Sequence, residues 1–238
     1  MSPDSRLRSS RYRRKLGLAI CLVWVTALCS GQSASAAEGV RPPHSAIVPL
    51  RIMLQKREAN RLIHVTEACT GTVIDTARGL VLTAWHCLDG IVDLTRPPRA
   101  LINEHWHDMA IVASGGSMQK DWAVLQTLNN PISGSFAMPI SFSQLDAGTT
   151  ILASGYPTIA SWENYATTPN ASKHCRLTGV HAHWMRSSCE LSKGMSGGAV
   201  MLESTDGLSL VGVISAQDED GNMLFVPIGN IDYRFEPP

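Results

Sequence analysis

An all-β fold of barrel or sandwich type is predicted by three features of this sequence. Short apolar, β-branched runs recur between turn residues, and no stretch keeps a helical period with caps at both ends. About 200 residues remain after an N-terminal export signal, enough for one large or two small β domains.

The export signal comes first along the chain. Arg6, Arg8, Arg11, Arg13, Arg14 and Lys15 form a basic stretch that runs into apolar residues from Leu16 to Leu28, too short a run to span a bilayer comfortably. The mostly small residues Gly31 to Ala37 then offer an Ala-x-Ala cleavage site ending at Ala36, with Ala37 as a near alternative. Residues 1–36 are read as a signal peptide, and the mature protein as secreted or periplasmic with no stable membrane association. An uncleaved membrane anchor is the competing reading. The signal carries six of the 20 basic residues and one of the 20 acidic ones, so the mature chain has a net charge of −5. That charge argues against a nucleic-acid partner, and a monomer is expected.

The strand candidates follow in order: Ala46–Leu54, Gly71–Ile74, Leu80–Ala84, Met109–Val112, Trp122–Leu125, Ile151–Gly155, Ala199–Leu202 and Leu208–Ile214. Their shortness and the Gly, Pro and Asp around them favour strands over helices. Asn129 to Ser135 is polar and turn-rich and makes the best linker, so residues 37–130 and 131–238 are expected to form two barrels of similar size. Pro157 to Lys173 reads as a surface loop.

Of six cysteines, Cys21 and Cys29 fall in the signal, leaving Cys69, Cys87, Cys175 and Cys189. Four cysteines in an exported chain imply two disulfides. Three pairings are open. The sequential one, Cys69 with Cys87 and Cys175 with Cys189, is preferred because its spacings would let each bridge tie neighbouring strands, worth about 3 kcal/mol apiece. No Cys-x-x-Cys or His-Glu-x-x-His spacing supports zinc, and no metal is expected.

Gly194-Met195-Ser196-Gly197-Gly198 sets one serine among glycines. The backbone can turn sharply there and aim a hydroxyl and nearby N–H groups at one spot, as an acyl-transfer nucleophile requires. The pattern also fits the nucleophile elbow of α/β-hydrolases, but those need an acid and then a histidine after the serine, and the last histidine here is His183. The opposite order is present: Thr83-Ala84-Trp85-His86-Cys87, then Asp121-Trp122-Ala123-Val124-Leu125, then the serine.

These pieces resemble the Thr-Ala-Ala-His-Cys and Asp-Ile-Ala-Leu-Leu signatures of trypsin-like, chymotrypsin-fold serine proteases. Lys193 to Ala199 likewise resembles the Gly-Asp-Ser-Gly-Gly-Pro box of that family. Cys69-Thr70-Gly71-Thr72-Val73-Ile74 resembles the strand before the histidine, whose cysteine bridges to the one after it. The matches run from Cys69 to about Ser215. The stretch from Cys189 to Ser196 looks closer to the bacterial, glutamyl endopeptidase-like branch than to digestive trypsins.

The resemblance implies two antiparallel six-stranded β-barrels with the active site in the cleft between them. It implies a serine endopeptidase working through an acyl-enzyme on a protein or peptide substrate, without a cofactor. Ser196 would be the nucleophile, His86 the base and then acid, and Asp121 the group that holds the imidazole. The N–H groups of Gly194 and Ser196 would form the oxyanion hole, and Ser215 would lie on the strand that pairs with substrate, near Asp121. A catalytically inactive binding protein on the same fold is the alternative. Because the base must be neutral, activity is expected to fall below about pH 6 to 7.

Two departures from the family pattern matter. Met195 stands where animal trypsins carry an aspartate that pairs with a freshly cut N-terminus, and no Ile-Val-Gly-Gly start appears near the mature end. That zymogen switch is therefore not expected. Glu190 stands six residues before Ser196, where an acid selects Lys or Arg in trypsin; small or apolar side chains are the competing specificity. His105-Trp106-His107 and His181-Ala182-His183 have the spacing that places two rings on one strand face, and are read as solvated histidines rather than metal ligands. Asn170-Ala171-Ser172 fits the N-glycosylation pattern.

Overall fold

A computed structural model describes residues 43–92, 96–129, 131–158 and 169–234, and the proposed signal segment lies outside them. Seven strands come first: β1 (Ile47–Glu58), β2 (Arg61–Asp75), β3 (Leu80–Thr83), β4 (Ile91–Val92), β5 (Arg99–Ile102), β6 (His105–Ser114) and β7 (Ala123–Thr127). Six of them close into an antiparallel ring in the order β1-β2-β3-β7-β6-β5, with β5 returning to β1 and the short β4 added on β1. The other six are β8 (Thr150–Gly155), β9 (Asn170–Val180), β10 (Met185–Ser187), β11 (Ala199–Ser204), β12 (Gly207–Gln217) and β13 (Met223–Pro227). They close in the order β10-β13-β12-β11-β8-β9. Two closed six-stranded barrels are thus the architecture, and closure leaves each ring without a free sheet edge.

The period-2 pattern explains the strands. Along β1, Leu50, Ile52 and Leu54 are fully buried while Arg51, Met53 and Gln55 between them are not, as a strand with one face on a core demands. One hydrophobic cluster fills the first barrel and extends to Ala199, Met201, Leu210, Val213 and Val226 of the second, so the barrels share apolar contact. A second cluster, with Ile151, Leu177, Val200, Ile214 and Phe225, fills the second barrel alone.

Each of the eight expected runs forms a strand, though β2 and β6 extend well past the apolar residues that announced them. β4, β5, β9, β10 and β13 were not anticipated. The loop reading of Pro157–Lys173 fails at its end, because Asn170 to Lys173 belong to β9, with Asn170, Ala171 and Ser172 paired to β8; residues 159–168 lie outside the described part. The polar composition of this stretch hid a strand whose register is set by its partner β8.

The polar stretch after β7 is pinned rather than free. Ile132 N–H donates to Thr76 O and Met138 N–H to Val73 O on the first barrel. Ser141 N–H then donates to Leu210 O, and Leu210 N–H to Pro139 O, on the second. The sequential disulfide pairing is the one formed, with Cα atoms 6.3 Å apart for Cys69–Cys87 and 5.0 Å for Cys175–Cys189. Each bridge joins a strand to the turn following a neighbouring strand, not strand to strand: Cys87 lies in the 3₁₀ turn Trp85–Leu88 after β3, and Cys189 just beyond β10.

Candidate active site

The 3₁₀ turn after β3 carries His86, and Asp121 lies two residues before β7. Because β3 and β7 are hydrogen-bonded neighbours, with Thr83 opposite Ala123, their ends bring the two side chains together. His86 N–H donates to Asp121 Oδ1 and His86 Nδ1–H to Asp121 Oδ2, both at 2.8 Å. An ionised carboxylate only accepts, so the imidazole proton sits on Nδ1, and Nε2 of the neutral ring is left as an acceptor.

Asp121 is fully buried, where a carboxylate without partners would be costly. Its third donor is Ser215, whose hydroxyl lies 2.5 Å from Oδ2. Ser215 is on β12 at the point where the register with β13 slips between Ile214 and Ala216. Such a bulge re-aims one side chain, and here Ser215 faces Asp121. Its hydroxyl therefore orients the acid.

Ser196 sits in the turn before β11 and is half-buried. The turn is held by the first barrel: Thr70 N–H donates to Ser196 O at 2.8 Å, and Thr70 Oγ1–H donates to Gly194 O at 2.8 Å. The same hydroxyl accepts from Tyr156 N–H at 2.9 Å, and Thr83 Oγ1–H donates to Thr70 O at 2.7 Å. The Cys87 sulfur lies 4.0 Å from His86 Nε2 and 3.9 Å from Ser196 O, so the Cys69–Cys87 bridge stands beside both turns. Among the described residues, no hydrogen bond joins Ser196 Oγ to His86 Nε2. That contact is commonly loose until substrate binds.

The backbone of the serine turn is selective about its amides. Met195, Gly197 and Gly198 donate to the carbonyls of Ser192, Ile214 and Met195, whereas Gly194 and Ser196 donate to no backbone carbonyl among the described residues. These two amides are therefore not engaged by the turn's own backbone carbonyls. The turn requires glycine at 194 and 197, with φ of 96° and 80°. A Cβ at Gly197 would also collide with Thr83 Oγ1 and Thr70 O.

The remaining sequence candidates are placed as follows. Met195 is fully buried in the second core, and its sulfur lies 3.4 Å from Ser192 N, so an apolar thioether fills the place of an acid. Glu190 is exposed, directly after Cys189. His105 bonds through Nδ1 to Asn103 O, and His181 stacks on Trp184 with ring centroids 3.8 Å apart, in the turn between β9 and β10. Neither histidine pair has a third metal-ligating group beside it among the described residues. Burial raises the Tyr156 phenol above its ordinary value. Thr70 and Thr83 had not been singled out. Thr70 lies inside the Cys69–Ile74 segment that resembled the family, but only the fold shows its hydroxyl reaching the serine turn.

A sequence profile of the trypsin-like peptidase domain matches residues 69–213, more than half of the chain. Among solved structures, the active form of the Rv3671c protease from M. tuberculosis superposes with a TM-score of 0.61 at 16% identity, covering 79% of this chain and 78% of that one. The inactive form of Rv3671c protease gives 0.55 at 15% identity, covering 79% and 86%. At these identities the likeness is one of fold. No curated protein sequence matches.

Proposed function

Since this chain belongs to the trypsin-like peptidase family, we propose that it is an exported serine endopeptidase whose triad is His86, Asp121 and Ser196. The observation that carries the reading is the fully buried Asp121, which takes both donors of His86 and the hydroxyl of Ser215 and leaves His86 Nε2 as the basic atom.

His86 Nε2 takes the Ser196 proton as Oγ attacks the scissile carbonyl carbon, and the carbonyl π pair moves onto oxygen. That oxyanion is met by the N–H groups of Gly194 and Ser196, a term commonly worth about 2.7 to 4 kcal/mol per donor. Collapse expels the amine, which receives the proton from His86, and leaves an acyl-enzyme. Water deprotonated by His86 then releases the acid and restores Ser196. Asp121 keeps the ring in its working tautomer and stabilises the imidazolium without taking the proton.

Two disulfides support export to an oxidising compartment. Among the described residues, no helix is long and apolar enough to cross a membrane. The buried Met195 supports a turn formed without insertion of a new N-terminal amine. An activation cut whose new amine is buried near Ser196 would contradict this.

The test is cleavage of a peptide library by the mature protein, read by mass spectrometry, with Ser196→Ala as control. Endopeptidase cuts absent from the control are expected; binding of peptides without cuts would favour a non-catalytic protein on this fold. The same map reads specificity. Preference for Lys or Arg that disappears in Glu190→Gln would assign that role to Glu190, and small or apolar residues at the cut would remove it.

A further inference from the structure

We infer that Thr158 is a positioning residue for this reaction: it fixes the Lys193–Gly194 peptide so that the Gly194 N–H stays aimed at the developing oxyanion. The inference rests on the serine peptidase reading above.

A peptide unit is planar and trans, so its C=O and N–H point in opposite directions, and whatever holds the oxygen holds the hydrogen. The oxygen opposite the Gly194 N–H is Lys193 O. It accepts from Thr158 N–H at 2.9 Å and from Thr158 Oγ1–H at 3.2 Å, so one residue supplies both donors. The next peptide is held separately, since Gly194 O accepts from Thr70 Oγ1–H at 2.8 Å.

The Lys193–Gly194 unit needs such a hold more than its neighbours do. Gly194 adopts a φ of 96°, and glycine populates either sign of φ about equally well, so rotation of this peptide meets little local resistance. Rotated, the unit would present a carbonyl oxygen where the amide should be, and an oxyanion would meet a negative dipole. Lys193 itself is exposed. Thr158 is also in close contact with the turn. A Cβ at Gly194 would come within 2.9 Å of Thr158 N and 3.0 Å of Thr158 Cγ2.

Three variants separate the contributions. Thr158→Val removes the hydroxyl and keeps the amide, Thr158→Pro removes both donors, and Thr158→Ser keeps both. For each, kcat and KM would be measured on a peptide the parent cleaves. Inhibition would be measured with a peptide aldehyde, whose hemiacetal oxygen sits where the oxyanion forms, and with a reduced-bond peptide that lacks that oxygen. Thr158→Val should lower kcat and aldehyde affinity by about tenfold, and Thr158→Pro by about a hundredfold. KM and reduced-bond affinity should stay within about twofold of parental values, and Thr158→Ser should behave as the parent. If the proline variant does not fold, the contrast between valine and serine still decides. Parental kcat in Thr158→Val and Thr158→Pro, or equal loss of affinity for both inhibitors, would overturn the inference and leave the peptidase reading standing. A parent that neither cleaves peptides nor is modified at Ser196 would overturn both.

Discussion

His86 and Asp121 meet through side chains within one barrel, at the ends of paired strands β3 and β7. Ser196 and its neighbours on the other barrel are placed by backbone, through a glycine turn whose carbonyls are gripped by Thr70 and Thr158. The first half is a set of chemical groups that must be of one kind. The second is a shape that must be held, and its supports come from residues far away in sequence. Damage to the first half should therefore remove chemistry and spare the fold, whereas damage to the second should affect both.

The sharpest break of that comparison is Asp121→Asn. The amide can satisfy the site sterically but presents N–H as well as C=O to the imidazole, so the ring is free to take the wrong tautomer. A fall in kcat of about 10⁴ is expected, with a melting temperature within a few degrees of the parent. A parental rate would remove Asp121 from the triad. Gly197→Ala, in the serine turn, should lower both activity and stability. Its Cβ collides with Thr83 Oγ1 and Thr70 O at a φ of 80°, and the loss of stability is expected at about 3 kcal/mol, read from chemical denaturation.

Thr70→Val should fall between them. The hydroxyl bridges Gly194 O and Tyr156 N–H in a fully buried setting, and its removal leaves both without that partner. About 2 kcal/mol of stability should go, together with a lower kcat at unchanged KM, since the turn that carries Ser196 loosens. A change in stability alone would mean that the turn is held by its glycines and not by Thr70.

The smallest effect lies outside the site. Partial burial pushes the Asp75 carboxyl up, but the Arg78 amide and guanidinium 2.6 Å away outweigh it and leave the group below its ordinary value. A carboxyl lowered in the folded state adds stability that is present above the unfolded value, about 3.9, and is lost as pH falls through the folded value. The melting temperature should therefore hold from pH 7 to about 5 and decline below about 4, and Asp75→Asn should flatten part of that decline. An unaltered acid profile in the variant would show that solvent screens the pair fully.

The contrast between the halves also explains what was legible in the sequence. Side-chain chemistry is written in residue types, so His86, Asp121 and Ser196 stood out with their neighbours, and the short apolar run of β1 announced its strand. Supports such as Thr70 and Thr158 act through a hydroxyl and a backbone amide, and no residue type marks them. Strands such as β9, with Asn170, Ser172, Lys173 and His174 at its start, gain their register from β8 and carry no period of their own. Ser215 was placed near Asp121 by resemblance, but only the bulge in β12 shows that its hydroxyl turns onto the acid.

The central claim is that Ser196 is a nucleophile activated by His86. Reaction of the disulfide-bonded mature protein with a fluorophosphonate, followed by intact mass and peptide mapping, tests it most directly. One adduct is expected, on Ser196, formed at a rate that collapses in His86→Ala and absent in Ser196→Ala. No adduct on correctly bridged protein, or an adduct indifferent to His86, would contradict it.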